Sequence, residues 1–254
     1  MNKEKFVGII PARYASTRFP GKPLASIGGK LMIQRVYEQA SKVLDLVYVA
    51  TDDQRIYDAV VGFGGKAIMT SDKHKSGTDR ICEAYEKSGC NREVVVNIQG
   101  DEPFIMPSQI STVCDLFDSP DTQIATLVKP FSANDSIADL ENPNSPKVVI
   151  DGANNAVYFS RSVIPYLRGV EKSEWLKRHT FFKHIGLYAY KAEVLKQVTK
   201  MPQSANEICE SLEQLRWIDN GLKIKVGQTE TQTIGIDTPE DMAKAEEFLK
   251  SIEK

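Results

Sequence analysis

Long apolar runs and a surplus of charge of either sign are both scarce in this chain. No stretch of its 254 residues is apolar for long enough to span a bilayer. The run after Met1–Lys5 stops at Pro11, too short for a signal segment with a cleavage site, so a cytoplasmic protein is expected. Lys and Arg total 32 against 34 Asp and Glu, a net charge of −2. A general nucleic-acid or anionic-membrane partner normally demands a clear basic excess, and both are set aside. The four cysteines, Cys82, Cys90, Cys114 and Cys209, show no C-x-x-C spacing and no pairing with the three histidines. Zinc and disulfides are therefore excluded in favour of reduced, buried thiols. Neither G-x-x-x-x-G-K-[ST] nor G-x-G-x-x-G occurs, which removes the P-loop and dinucleotide-binding readings. Repeats and low-complexity tracts are absent too.

What is present is a regular alternation. Phe6–Ile10, Leu46–Thr51, Lys66–Thr70 and Val94–Gln99 read as strands; the first is a continuous apolar run of the kind buried on both faces, the second is also apolar, and the fourth reads as buried. Between them, Ile33, Val36, Tyr37, Ala40 and Val43 recur at helical spacing, as do Ile56, Ala59, Val60 and Phe63, and then Ile81, Ala84 and Tyr85 behind a Thr78 cap. A helix starting at Pro107 follows. The pattern predicts an α/β fold, an open and mostly parallel sheet with helices on both faces. After about residue 123 strands recur without long helices between them: Ile124–Val128, Lys147–Asp151, Ala156–Ser160 and His184–Tyr190. That predicts a smaller mixed or antiparallel lobe. A helix over Asn206–Asn220, a strand over Lys223–Gly227 and a helix capped by Thr238-Pro239-Glu240-Asp241 complete the chain. The expected organisation is a single domain, 1–254: a nucleotide-binding half over 1–122, a second part over 123–235, and a closing helix over 236–254.

Ligands of such sheets bind beyond the carboxyl ends of the strands. The loop Pro11–Lys30 lies at one such end and places Arg13, Arg18 and Lys22 within ten residues, with Ser16, Thr17 and the amides around Gly21 as neutral donors. Guanidinium groups grip phosphate oxygens as a fork and lysine adds a point charge, so the set suits a polyphosphate. Three cations alone fit a basic surface turn about as well. Asp101, past the end of the Val94–Gln99 strand, fits a magnesium ligand or a turn aspartate, and Asp237, taken singly, fits a capping turn better than a ligand.

The run Ile10-Pro11-Ala12-Arg13-Tyr14-Ala15-Ser16-Thr17-Arg18-Phe19-Pro20-Gly21-Lys22-Pro23-Leu24 resembles the N-terminal motif of the 3-deoxy-manno-octulosonate (Kdo) cytidylyltransferases. Matching blocks continue in order through Ala50-Thr51-Asp52, His74–Arg80, Asn97–Pro103, Tyr158–Arg161, His184–Tyr188, Leu212–Arg216 and Gly235–Asp241, nearly the whole chain. The resemblance implies a fold of the nucleotide-diphospho-sugar transferase type. It implies transfer of CMP from CTP to Kdo with release of pyrophosphate, activating the sugar for lipopolysaccharide, in a magnesium-dependent cytoplasmic homodimer. It implies Asp101 and Asp237 as metal ligands and catalytic residues together with Arg18 and Lys22, which would hold the departing phosphates. Pro11, Ala12, Arg13, Ser76, Gly77, Arg80 and Gln99 would line the nucleotide pocket. Arg161, His184, Tyr188, Glu213 and Gln214 would bind the sugar, although each has a plain alternative: core for His184 and Tyr188, a solvated helix face for Glu213 and Gln214.

A related acidic or 8-amino keto-sugar is the alternative substrate. A glycosyltransferase would carry an Asp-x-Asp motif, and neither Asp52-Asp53 nor Asp101-Glu102 is one. Small departures from the family pattern are Phe19, where leucine is common, in an expected packing position, and the more basic Lys73-His74-Lys75.

Overall fold

The computed structural model describes residues 2–15, 19–231, 235–236 and 238–252, so Arg18 and Asp237 lie outside the described residues. The chain divides into two compact units, Met1–Ser111 with Thr233–Lys254, and Thr112–Gln232.

The first unit begins with β1 (Phe6–Ala12), the short hairpin β2 (Ser26–Ile27) and β3 (Lys30–Leu31), and α1 (Met32–Ser41). It continues with β4 (Val47–Thr51), α2 (Gln54–Gly62), β5 (Ala67–Met69), α3 (Gly77–Ser88) and β6 (Val94–Asn97), and α4 (Pro107–Asp115) leads into the second unit. The strands run β6-β1-β4-β5, each neighbour parallel. Phe6, Val7, Ile9 and Ile10 are all buried, so successive side chains on opposite faces of β1 are covered, as a continuous apolar run requires. Of the spacing read in α1, Ile33, Val36 and Ala40 are buried, with Met32 beside them, whereas Tyr37 is half-buried and Val43 lies beyond the helix end. The start of α3 corrects the sequence reading. Its cap is Ser76, whose hydroxyl accepts from the amide of Asp79 at 3.1 Å, while Thr78 is buried in the first turn. Ser76-x-x-Asp79 has the spacing of a capping box, so the signal was present.

The second unit contains β7 (Ile124–Pro130), α5 (Ile137–Glu141), β8 (Lys147–Ile150), β9 (Ala156–Ser160), α6 (Trp175–Arg178) and β10 (Phe182–Lys191). It ends with α7 (Ala192–Val198), α8 (Ala205–Glu210), α9 (Gln214–Asp219) and β11 (Ile224–Gln228). Its strands run β11-β7-β10-β8-β9; β11 is parallel to β7 and the other pairs are antiparallel. The expected helix over 206–220 is two helices. Ser211 stands at φ 51° between them, a left-handed residue that ends α8, so Glu213 and Gln214 sit at the start of α9 and not in mid-helix.

The chain then returns to the first unit as α10 (Pro239–Ile252), where the Thr238 amide and hydroxyl both donate to Asp241 Oδ2, the acid's half of the expected cap. Ala245 and Leu249 of α10 pack with Ile27, Met32, Phe104 and Ile236, and Phe19 lies against this cluster. No helix of the described residues is long and apolar enough to cross a membrane. The four thiols are free, but Cys209 is exposed and Cys90 half-buried, against the expectation that all would be buried. Burial pushes the Cys114 thiol up to about 12.

Candidate functional site

An open pocket of about 260 Å³ lies in the first unit, beyond the carboxyl ends of β1 and β6. Pro11, Ala12 and Arg13 form one wall, where β1 runs out, and Lys22 and Pro23 a second. Gln99, Gly100 and Asp101 follow β6, and His74 to Gly77, with Arg80, come from the loop before α3 and its first turn. All seven residues that the family resemblance assigns to the nucleotide therefore share one cavity with Lys22 and Asp101. Gly100 makes the closeness of β1 and the Asp101 loop possible: a Cβ there would sit 2.7 Å from the Pro11 carbonyl oxygen.

The Lys22 ammonium donates to Asp101 Oδ2 at 2.8 Å, an ion pair at the pocket wall between a residue read as a phosphate cation and one read as a metal ligand. The amide of Ile236 donates to the Asp101 carbonyl at 3.0 Å, tying the segment just before position 237 to the same loop. Among the described residues no group of three or more carboxylate, imidazole or thiol ligands converges. Magnesium needs only one or two carboxylates when phosphate oxygens and water complete its shell, and a partly exposed Asp101 at the pocket wall fits that requirement.

Arg80, in the first turn of α3, is not a solvated arginine. It is 4% exposed, and its guanidinium donates to Asp52 Oδ2 at 2.7 Å, Thr70 Oγ1 at 2.6 Å and the Ser71 carbonyl. It braces the loop before α3 as well as lining the pocket. Glu83 braces the same loop from one turn further along α3, accepting from the Ser71 amide, the His74 ring and the Lys87 ammonium. Burial opposes ionisation of Glu83, but these donors outweigh it and hold the carboxyl at about 2. His74 and Lys75 line the pocket, whereas Lys73 does not.

The five sugar candidates lie in the second unit. His184 and Tyr188 touch, with ring centroids 5.3 Å apart. Residues four apart in a regular strand are separated by about 13 Å, so same-side facing alone could not bring them together. A bulge between Ile185 and Tyr188 does so, with the Thr126 hydroxyl bonded to the Leu187 carbonyl across it. Burial lowers the His184 pKa to about 4, leaving a neutral ring. Burial also holds the Tyr188 phenol well above its ordinary value, reinforced by the Glu213 charge and partly offset by Thr126. Trp217 packs edge-on against Tyr188 at 5.2 Å.

Glu213 is held by Arg216, whose guanidinium also pairs with Glu207. The buried Gln214 Nε2 and Trp217 Nε1 have no hydrogen-bond partner among the described residues. Such atoms are costly unless a ligand or water satisfies them. Arg161 is anchored: its guanidinium donates to the carbonyls of Glu210 (2.6 Å), Pro143 (2.9 Å) and Ser211 (3.3 Å). Its own amide donates to the Glu210 carboxylate, and its carbonyl accepts from the buried Lys147 at 2.7 Å. Sequence reasoning missed Lys147 and Glu210, and nothing in their local pattern marks either as a partner of Arg161.

A cytidylyltransferase family model matches residues 7–224. The chain is 67% identical over 246 residues to the 3-deoxy-manno-octulosonate cytidylyltransferase of Parabacteroides distasonis, covering 96% of this chain and 98% of that protein. It is 55% identical to the protein of the same name from Porphyromonas gingivalis, covering 99% and 98%. Among solved structures, a CMP:2-keto-3-deoxy-manno-octonic acid synthetase complexed with CTP superposes with a TM-score of 0.89 at 42% identity, over 98% of this chain and 99% of that one. A 4-diphosphocytidyl-2C-methyl-D-erythritol synthase from Anaerococcus prevotii, at 14% identity and TM-score 0.61 over 97% of each chain, shares the fold. The chain belongs to the 3-deoxy-manno-octulosonate cytidylyltransferase family.

Proposed function

We propose that this enzyme transfers CMP from CTP to Kdo, giving CMP-Kdo and pyrophosphate. The observation that carries the reading is the pocket in which Arg13, Gly77 and Gln99 meet the Lys22–Asp101 pair, in a chain of this family. The nucleoside end of CTP would lie against Pro11, Ala12 and Arg13 and the Ser76-Gly77 turn. A Cβ on Gly77 would meet only Pro11, at an ordinary 3.4 Å, so the fold itself does not demand glycine there. Room for the base edge is the reason we assign to it.

The reaction is an in-line displacement at the α-phosphorus. The anomeric hydroxyl of the sugar forms the new P–O bond as the bond to pyrophosphate breaks, and the hydroxyl proton leaves to solvent. Negative charge grows on the departing phosphates, and Lys22, with Arg18 on the same loop, is the cation assigned to meet it. Asp101, with Asp237, would hold magnesium, which when bound screens the triphosphate and lowers the pKa of a coordinated hydroxyl. No enzyme-bound covalent intermediate is needed.

The sugar is assigned to Arg161, His184, Tyr188, Glu213 and Gln214. A neutral His184, whose Nε2 lies 3.4 Å from the Thr126 hydroxyl, leaves Nδ1 for sugar hydroxyls, and Gln214 Nε2 offers them a donor. The same reading extends to a cytoplasmic homodimer that supplies lipopolysaccharide synthesis. Size-exclusion chromatography with light scattering would return twice the chain mass for a dimer and the single chain mass against it.

Asp101→Ala and Lys22→Ala test the chemistry. Each is expected to lower pyrophosphate release from CTP and Kdo about 100-fold or more, with an unchanged circular dichroism spectrum. Near-normal turnover in either variant contradicts its role.

A further inference from the structure

Beside the nucleotide pocket, three residues outside its lining meet at the phosphate loop. Arg55, in the first turn of α2, is gripped by Asp53 through two bonds, Nε to Oδ1 at 2.9 Å and Nη2 to Oδ2 at 2.6 Å. Its Cζ lies 3.4 Å from the centroid of the Tyr14 ring. Tyr14 follows Arg13 in the loop, and its carbonyl accepts from the amide of Gly21 at 3.0 Å. The Tyr14 ring also fills the space beside Gly21: a Cβ there would stand 3.0 Å from Cε2 and 3.1 Å from Cζ, and Gly21 has φ 71°. Tyr14 and Gly21 thus bracket the segment that includes Arg18, and Lys22 is the next residue.

We propose that Arg55 is a positioning residue for the phosphate-binding loop: fixed by Asp53, it stacks on Tyr14, holds that ring against Gly21, and so fixes these two ends of the loop, and Lys22 beside Gly21, before CTP arrives. The inference rests on the cytidylyltransferase reading given above. A guanidinium favours an aromatic face, and a two-point carboxylate grip removes much of its rotamer freedom. Loop ends fixed in advance leave less ordering cost to be met on binding. Arg55 is absent from the pocket wall and its charge is matched by Asp53, so a direct role on the phosphates is not assigned to it.

The test is a double-mutant cycle read by calorimetric titration of CTP, with steady-state kinetics alongside. Arg55→Ala and Tyr14→Leu should each weaken CTP binding about three- to fivefold, the range of an exposed cation–π contact, with kcat and Tm little changed. Tyr14→Phe, which keeps the ring face, should bind CTP as the wild type does. The double variant Arg55→Ala/Tyr14→Leu should be no worse than Tyr14→Leu alone. Unchanged affinity in Arg55→Ala overturns the proposal, as does a fall in Tm without a change in affinity. Additive losses in the double variant overturn it too, because Arg55 would then act on CTP without Tyr14. Failure of the wild type to bind CTP would instead remove the cytidylyltransferase reading itself, and is seen before any variant is made.

Discussion

The two units hold their candidate residues in opposite ways. In the first, they sit at strand ends, on loops and at a helix start around an open pocket. Arg13 is exposed, Lys22 and Asp101 face the pocket and pair with each other, and the bracing comes from Arg80, a charged pocket residue that is buried, and from Glu83 behind it. In the second, they belong to the packed structure. His184 and Tyr188 lie in an aromatic cluster with Phe159 and Trp217, and Arg161 is bound to three backbone carbonyls. A triphosphate is a compact, highly charged ligand that a few loop-borne cations can grip. An uncharged hydroxyl pattern must be read by groups already fixed and desolvated, because only a site left with unpaired buried polar atoms penalises the wrong sugar. Function and stability should therefore separate in the first unit and travel together in the second.

The largest expected break between the two is in arginine. Arg161→Ala should lose about 1–3 kcal/mol of stability, since the carbonyls it satisfies lose a charged donor, and should also raise KM for Kdo. Arg13→Ala should raise KM for CTP and leave stability within about 0.5 kcal/mol. Urea unfolding with two-substrate kinetics reads both. Equal stability losses would erase the distinction.

Titration gives a smaller contrast. His184 has its pKa lowered from 6.5 to about 4, so between these values the unfolded chain takes up a proton that the folded chain refuses. Its contribution is full above pH 6.5 and is lost as pH falls towards 4. The stability difference between wild type and His184→Asn should shrink over that window; a constant difference contradicts the assigned burial. Glu83, lowered from 4.5 to about 2, contributes fully above pH 4.5 and loses that contribution as pH falls towards 2. Wild type and Glu83→Gln should thus converge only in acid. Convergence already at pH 6 would mean that the Ser71–His74 brace is not an ionic one.

The same contrast explains what could be read in the sequence. The first unit was legible because apolar runs, caps and the cation-bearing loop are local patterns: β1, β4, β6, α1 and α2 fall where spacing places them. Its nucleotide residues come from three short segments, each at a strand end or helix start, and topology brings such places together. The second unit was legible in its strands but not in its joints. The positive φ of Ser211 and the bulge in β10 depend on long-range packing, and no local pattern announces them. The Lys147–Arg161–Glu210 arrangement spans more than sixty positions of the chain and is visible only once β8, β9 and α8 are assembled. Lys22 and Asp101, 79 residues apart, were each singled out by motif, but their mutual ion pair was not.

The most direct measurement is product formation by the wild-type enzyme from CTP and a panel of acidic sugars, with Mg²⁺ present and then chelated, followed by mass spectrometry. The account predicts CMP-Kdo and equimolar pyrophosphate, with Kdo well ahead of sialic acid and of 8-amino-Kdo, and no product after chelation. Turnover of sialic acid or of the 8-amino sugar in preference to Kdo, or product formation unaffected by chelation, would contradict it.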